Sequence, residues 1–421
     1  MRPDAGAQGT RPPDRGAIRL VTSLALLNVL SYVDRQLVAA LAPLLIADLG
    51  LSRAQIGLLV GTSFIVVFAV ATLAMGIAAD RLSRPRLLAG GLAAWSAATA
   101  LTGTANGFRS LALWRAGVGV GEATLSPTAL SMLADRFPPQ RLGFVSGVFY
   151  AGIPVGFACS FALAGGLGPT LGWRACFYAL GLAGLVGLAL AWRIEDPARR
   201  EPAARTDSHA SRLLELRGLL VERPALPALM LGGALLAYAS ASSQHGVTWL
   251  VAERGFSYPR AAALSALVTA SAGLAGNFGL GALTDRACRR HPAGRPLALA
   301  SLGAFALSAT AAFYALPPAS RLFLPCWCVA QAWLLGWYGP LLAAVLEGCP
   351  AHLRASCAGL ALLVINLLGV AIGPWLTGAI GDRSSLTRGL LTSVAVGAIG
   401  LLLVGGVGFR QLWREPARAG L

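Results

Sequence analysis

Apolar residues run through this chain in stretches of about 20, each long enough as a helix to cross roughly 30 Å of hydrocarbon. Short polar or Gly- and Pro-bearing intervals separate them. The pattern predicts about twelve helices, at 17–46, 54–79, 86–105, 108–135, 141–167, 171–193, 226–252, 259–283, 296–316, 320–347, 354–380 and 387–411. The longest polar interval, 194–224, carries Glu195-Asp196-Pro197, Arg199-Arg200, Pro202 and Pro224, with room for a short surface helix at 213–220. It divides the chain into a disordered N-terminal segment 1–16, a six-helix bundle 17–193, a central loop 194–225, a second six-helix bundle 226–411 and a tail 412–421.

Composition agrees with a membrane solvent. Of the 421 residues, 56% are hydrophobic and only 12% charged, with mean hydropathy +0.66, whereas soluble domains carry about 25% charged residues. Gly is abundant, at 51 residues, which suits helices that pack closely or bend in lipid. The fold class expected is an all-α polytopic membrane protein. The net charge of +16 would allow nucleic-acid binding by itself, but its distribution argues against it. All 34 basic residues are Arg; with the predicted helices, 24 fall on the side that carries both termini, eight on the other, and Arg35 and Arg115 lie within helices. This asymmetry is the positive-inside pattern and predicts cytoplasmic termini in a cytoplasmic (inner) membrane, with no nucleic-acid partner. The seven Cys form no paired framework, and Cys326-x-Cys328 is too close and too apolar for a zinc site. No metal or cofactor is expected. No short apolar region followed by a small-residue cleavage site opens the chain, so the first helix should be retained as an anchor.

The two halves repeat. Gly76-Ile-Ala-Ala-Asp80-Arg81-Leu-Ser-Arg84 follows the second stretch, and Gly281-Ala-Leu-Thr-Asp285-Arg286-Ala-Cys-Arg289 follows the eighth, at an offset of 205 residues. Repeats about a midpoint are how many transporters are built, with the site near mid-membrane between them. In this element the glycines would let helices approach, the aspartates face a helix N-terminus or an Arg, and the Arg clusters anchor the loop. Such contacts would close one side of the membrane and break when the halves rock. Gly76, Asp80, Arg81, Arg84, Gly281, Asp285, Arg286 and Arg289 are therefore candidate gating residues; a plain topology signal is the alternative.

The charges inside the apolar stretches carry the candidate chemistry. A charge in hydrocarbon costs at least a few kcal/mol, so a chain keeps one facing a partner or a wet cavity. Asp34 and Arg35 sit in the first stretch, Arg115 and Glu122 in the fourth. Arg115, Gly119 and Glu122 share one helix face, and Gly117, Gly119 and Gly121 clear space for a neighbouring helix or a substrate. Two acids and two bases are neutral together; protonating one acid releases an Arg to take another partner. Either acid could carry the proton, while Arg35 and Arg115 exchange partners or hold an anionic headgroup; a static network fixing helix packing is the alternative. Asn28 and Tyr32 can share the Arg35 face, as cavity donors or interhelical bonds, and Tyr150 and Pro154 mark a bend in the fifth stretch. In the second half, Ser240, Ser242, Ser243, Gln244, His245 and Thr248 form a polar patch, with His245 able to titrate near neutrality. Asn277, Gln331, Trp333, Trp337, Tyr338 and Asn366 are candidates for a substrate route, against an interface-belt role for the aromatics. Gly369-x-x-x-Gly373-Pro374 predicts a close-packed, bent helix. The chain has no His-Glu-x-x-His and no usable Gly-x-Ser-x-Gly elbow, which disfavours an enzyme, and no appended sensor domain.

Six-plus-six helices, a basic central loop and the doubled Gly-x-x-x-Asp-Arg-x-x-Arg motif resemble the major facilitator superfamily over essentially the whole chain. Within it, Asn28-x-x-x-Tyr32-x-Asp34-Arg35, Arg115-Ala-Gly-Val-Gly-Val-Gly-Glu122-Ala and Phe149-Tyr-Ala-Gly-Ile-Pro-Val-Gly156 resemble the spinster-like branch. The first of these also resembles organic-anion symporters of the same superfamily; the Gly-Val-Gly-Glu stretch decides for spinster. The resemblance implies two pseudo-symmetric bundles, a monomer without cofactor, and a central cavity bordered by the first and fourth helices. It implies a secondary transporter working by alternating access, coupled to protons, for lysophospholipid, sphingoid or drug-like amphipaths; a proton-coupled symporter of a small organic anion is the alternative.

Overall fold

The computed structural model describes residues 14–198, 209–291 and 293–414, except the side chains of 77, 80, 139, 140, 209–213, 351, 355 and 411–414. Among these residues every regular element is a helix. The first, α1 (Arg15–Ala40, continued by Ala42–Leu49), starts two residues before the expected 17, because the Asp14 carboxylate caps it by accepting from the Ala17 amide at 2.7 Å. The rest of the expected disordered segment, 1–13, lies outside the described residues. Gly50, at φ 62°, ends α1 in the left-handed region that glycine tolerates, and a Ser52–Gln55 capping box opens α2 (Arg53–Val60, then Thr62–Arg81). Next come α3 (Arg84–Thr102) and α4 (Phe108–Glu122, then Leu125–Arg136). The apolar stretch Arg141–Trp192 is 52 residues, about 78 Å as one helix and too long for a single crossing. Gly172, at φ 80°, breaks it into α5 (139–171) and α6 (173–192).

A surface helix, His209–Glu222, lies in the linker where one was expected. Beyond it run α7 (Ala225–Ser242, a 3-10 turn Ser243–His245, then Gly246–Ala252) and α8 (Tyr258–Val268, a π turn Thr269–Gly273, then Leu274–Arg290). They are followed by α9 (Gly294–Ala315), α10 (Phe323–Gly336, then Tyr338–Glu347), α11 (Arg354–Val364, a π turn Ile365–Val370, then Gly373–Arg383) and α12 (Leu386–Arg414). Nine stretches among the described residues are individually long and apolar enough to cross a membrane. The 52-residue stretch counts once among them, and the charge-bearing α4 and α3, which opens on Arg84-Pro85-Arg86, fall outside them.

The halves repeat in packing as well as in order. Helix α1 packs on α5 and α3 on α6, as α7 packs on α11 and α9 on α12. Across the halves, α2 meets α11 and α5 meets α8. Helices α3, α6, α9 and α12 run unbroken, whereas α1, α2, α4, α5, α7, α8, α10 and α11 each carry an interruption. Irregular backbone at membrane depth is tolerated where protein or a cavity satisfies it, so the broken helices are those that can surround a pathway and the unbroken ones those that buttress it.

The end away from the termini is sealed. One apolar core there joins both halves, from Leu45, Leu59 and Phe161 to Trp249, Phe313, Phe323 and Leu386. At the terminal end the buried cores are largely separate, one per half. Across the seal, the Asp382 carboxylate of α11 accepts from the Arg53 and Ala54 amides at the start of α2, both at 2.9 Å, so one half caps a helix of the other. The Arg53 guanidinium donates to the Gly381 carbonyl at 2.7 Å and lies 3.8 Å from Glu253. Burial pushes the Glu253 carboxyl up, but hydrogen bonds from Thr387 and Leu386 and the Arg53 charge outweigh it and hold it below the usual carboxylate range. Glycines make the approach possible: a Cβ on Gly57 would collide with the Pro374 carbonyl, and one on Gly378 with that of Arg53.

The repeated gating motif behaves differently in its two copies. Arg84, 1% exposed, pairs with Asp135 at the end of α4 and with Asp196 beyond α6 at 2.7 Å, and donates to the Pro197 carbonyl at 2.6 Å. Its register partner Arg289 is exposed, as are Arg81 and Arg286. The second clamp is instead Arg295, which joins Asp285 at 2.6 Å and Glu347, at the end of α10, at 2.9 Å. Arg84-Pro85 and Arg295-Pro296 both stand at the N-terminus of the third helix of their half, so the true equivalence is offset by six residues more than the motif register. Gly76 and Gly281 face open space, with no atom within 4 Å of an added Cβ, so neither makes the expected close approach in this conformation. The Asp80 side chain lies outside the described residues. Arg84→Ala would remove the guanidinium that Asp135 and Asp196 share. Because both are part-exposed, the expected loss is roughly 2–3 kcal/mol rather than the larger cost of a fully buried pair. A lowered thermal unfolding midpoint in detergent checks this; an unchanged midpoint would refute the clamp.

Candidate functional site: crossed ion pairs and an adjacent cavity

Successive residues on a helix point about 100° apart, so Asp34 and Arg35 cannot share one partner direction. The structure brings all four intramembrane charges together in a crossed arrangement. Arg115 donates to Asp34 Oδ1 at 2.9 Å, while Arg35 Nε donates to Glu122 Oε2 at 2.6 Å. The Thr99 hydroxyl of α3 donates to the other Asp34 oxygen, and the Ser31 hydroxyl donates to Glu122 Oε2 at 2.9 Å. Asp34 thus has both oxygens engaged. Glu122 Oε1 is buried without a partner, as are Arg115 Nε and one terminal nitrogen of its guanidinium. Only Arg35 reaches open space: its side chain is 18% exposed, against 1–2% for Arg115 and Asp34 and 0% for Glu122.

The neighbourhood explains how four charges are held in oil. The Arg35 guanidinium lies 4.8, 5.1 and 4.5 Å from the ring centres of Tyr32, Phe64 and Phe68, and Arg115 lies 4.9 Å from Phe64. Aromatic faces stabilise these weakly hydrated cations in a desolvated site. Gly119 lies against the Phe64 carbonyl of α2, 3.0 Å from an added Cβ, and Gly121 against Trp95 of α3 at 2.6 Å. These glycines therefore make room for helices, not for a ligand.

The other predicted residues separate into groups. Asn28 is buried and donates to the Phe149 carbonyl at 2.6 Å, beside the break in α5. His245 is buried in the α7 break; its Nε2 donates to the Pro374 carbonyl at 2.7 Å and its Nδ1 has no partner. Trp337 is buried and donates to Ser240 at 2.9 Å, and the Asn366 amide donates to its own helix at Leu362. Gly369 and Gly373 pack α11 on the α7 backbone near Ala234 and Tyr238, as their spacing predicts. Tyr32 packs against Phe157 of α5 with ring centres 5.9 Å apart, Tyr150 against Phe149 at 5.1 Å and Tyr338 against Trp337 at 5.5 Å.

A cavity of about 110 Å³ lies in the second half, reached by Gln36 of α1 and Phe157 and Phe161 of α5. None of Asn28, Tyr32, Arg35, Arg115, Glu122, Tyr150, His245, Trp337 and Asn366 lines it. Gln244, Gln331 and Trp333, which the sequence does point to, line it together with Gln36, which sequence reasoning missed. The signal was present: Gln36 is an uncharged polar residue in an apolar stretch, overshadowed by Asp34-Arg35 beside it.

Comparison with known proteins agrees with this architecture. Residues 24–374 match the Major Facilitator Superfamily. An MFS-type efflux pump of Mycolicibacterium smegmatis is 30% identical over 415 residues, 96% of this chain and 94% of that protein. Human protein spinster homolog 1 is 36% identical over 146 residues, 34% of this chain and 27% of that protein. Among solved structures, a bacterial homolog of the human lysosomal transporter Spinster, inward-facing and unoccupied, superposes with TM-score 0.82 at 21% identity, covering 95% of this chain and 98% of that one. The chain belongs to the major facilitator superfamily, as a membrane transporter and not an enzyme.

Proposed function

We propose that this transporter couples the movement of an amphipathic, lipid-like or drug-like molecule to protons, by alternating access, with both termini cytoplasmic in the inner membrane. The observation that carries the reading is the crossed set Asp34–Arg115 and Arg35–Glu122, in which one carboxylate oxygen has no partner and one cation reaches open space. When Glu122 takes a proton, the charge-assisted bond to Arg35 weakens and Arg35 turns to an anionic group on the substrate. Loss of the proton returns Arg35 to Glu122 and expels that group. Asp34–Arg115 holds α1 against α4 throughout. The seal at the end away from the termini and the split cores at the other support a state open toward the cytoplasm in this topology. The Arg84 and Arg295 clamps keep each half rigid as it rocks.

The test is flux in reconstituted vesicles with an imposed pH gradient. A gradient should change the flux of lysophosphatidylcholine, whose phosphate supplies the anionic group, at least about tenfold, equivalent to 1.4 kcal/mol of coupling. Flux indifferent to the gradient would remove proton coupling. Gradient-driven flux of a small carboxylate such as a hexuronate, without lysolipid flux, would replace the substrate assignment.

A further inference from the structure

We propose that the cavity of the second half is a subsite for an uncharged, hydroxyl-bearing group, which distinguishes it from the charged set beside it. The inference deepens the substrate reading above and is independent of proton coupling. Gln36, Gln244 and Gln331 converge on this cavity from α1, α7 and α10, and no Asp, Glu, Arg or His lines it. An isolated ion there would lose its hydration with no counter-charge to offset the cost.

Several of the lining hydroxyls have their protons already spent, and carboxamides carry most of the hydrogen-bonding capacity that remains. Ser243, Ser265, Thr310 and Ser393 already donate their hydroxyl protons to backbone carbonyls of their own helices, at 2.7–2.8 Å. Gln331 spends a donor on Thr269 at 3.1 Å and keeps its carbonyl oxygen. The Oε1 atoms of Gln36 and Gln244 are buried with no donor. Buried unpaired acceptors are costly, and each native case calls for an explanation. A ligand bearing several hydroxyls suits carboxamides in both directions: its O–H groups donate to the amide oxygens once these side chains turn toward it, and the amide N–H groups donate to its oxygens. The walls are Phe157, Phe161, Phe313, Tyr314, Trp327 and Trp333, flat surfaces against which the C–H face of a sugar or polyol ring can lie. Arg35 and Gln36 are adjacent on α1, one directed to Glu122 and the other to the cavity. A substrate can therefore place an anionic group at the first and its hydroxylated part at the second.

The test uses phenyl β-D-glucoside, a neutral water-soluble probe, with the full chain in lipid nanodiscs and trimethylphenylammonium as the cationic comparator. Saturable glucoside binding is expected, with the cation at least about tenfold weaker. The near-isosteric Gln244→Met and Gln331→Met should each weaken glucoside binding about tenfold, one buried hydrogen-bonding group lost, with wild-type melting profiles. Binding should also persist without any pH gradient, so failure of proton coupling leaves this result standing and failure here leaves driven flux untouched. Absence of saturable glucoside binding, equal or tighter binding of the cation, or indifference to both glutamine changes in folded protein would each overturn the proposal.

Discussion

Replacing Glu122 by Gln should abolish pH-gradient-driven accumulation while leaving substrate exchange at equal pH measurable. The amide has the shape of the protonated acid and cannot change charge. Arg35 then has no carboxylate to return to, since the second acid is already held: Asp34 has Arg115 on one oxygen and Thr99 on the other. The difference in support between the acids decides which should carry the proton. Protonating Asp34 would leave the buried Arg115 uncompensated, at a cost of several kcal/mol. Protonating Glu122 frees Arg35, which is part-exposed and already stacked among Tyr32, Phe64 and Phe68. The expected loss of driven uptake for Glu122→Gln is about 100-fold or more, the removal of an obligatory step rather than of one contact. Asp34→Asn should instead impair assembly and lower exchange and driven transport together. Driven accumulation that survives in Glu122→Gln with its pH dependence intact would exclude Glu122 as carrier.

Much of this architecture is legible in the pattern of apolar stretches because lipid imposes the constraint: a helix must satisfy its own backbone and must be long enough to cross. The convergence of Asp34, Arg35, Arg115 and Glu122 is legible for the same reason, since four charges in oil have to find each other. Their crossed pairing follows from helix geometry, yet the sequence places Asp34 beside Arg35 and does not say which neighbour each one faces. Tertiary placement also decided the clamp. The motif register equates Arg84 with Arg289, whereas the residues that pair are those preceding the prolines that open α3 and α9, and extra loop residues shift the second copy. Gly76 and Gly281 carry no close contact, at the end where each half keeps its own buried core. His245 stood out by its titratable ring, but the α11 bend at Pro374 claims its Nε2. The cavity was the least legible feature. Its glutamines are uncharged, come from three helices and form no linear motif.

Gly57→Leu should prevent closure of the end away from the termini and reduce transport at least about tenfold. In that seal, steric fit outweighs charge. Arg53 and Glu253 are part-exposed and 3.8 Å apart, so their attraction contributes little. The two amide bonds to the exposed Asp382 contribute about 1 kcal/mol each, so Asp382→Ala should only loosen the closed state. At Gly57 the α11 backbone occupies the position of the missing Cβ, and a backbone carbonyl cannot swing aside as a side chain can. Adding a leucine forces α2 and α11 apart or distorts both, a cost of at least 1–3 kcal/mol by analogy with overpacked cores. That cost falls on the sealed state alone, so the population moves toward states open at that end and the cycle stalls there. Hydrogen–deuterium exchange reads the change directly: the Arg53 and Ala54 amides lose their Asp382 acceptor and should exchange faster, together with segment 373–383. Unchanged protection at these amides and wild-type transport would show that the glycine contact does not govern closure. Faster exchange with normal transport would show instead that opening of this seal does not limit the cycle.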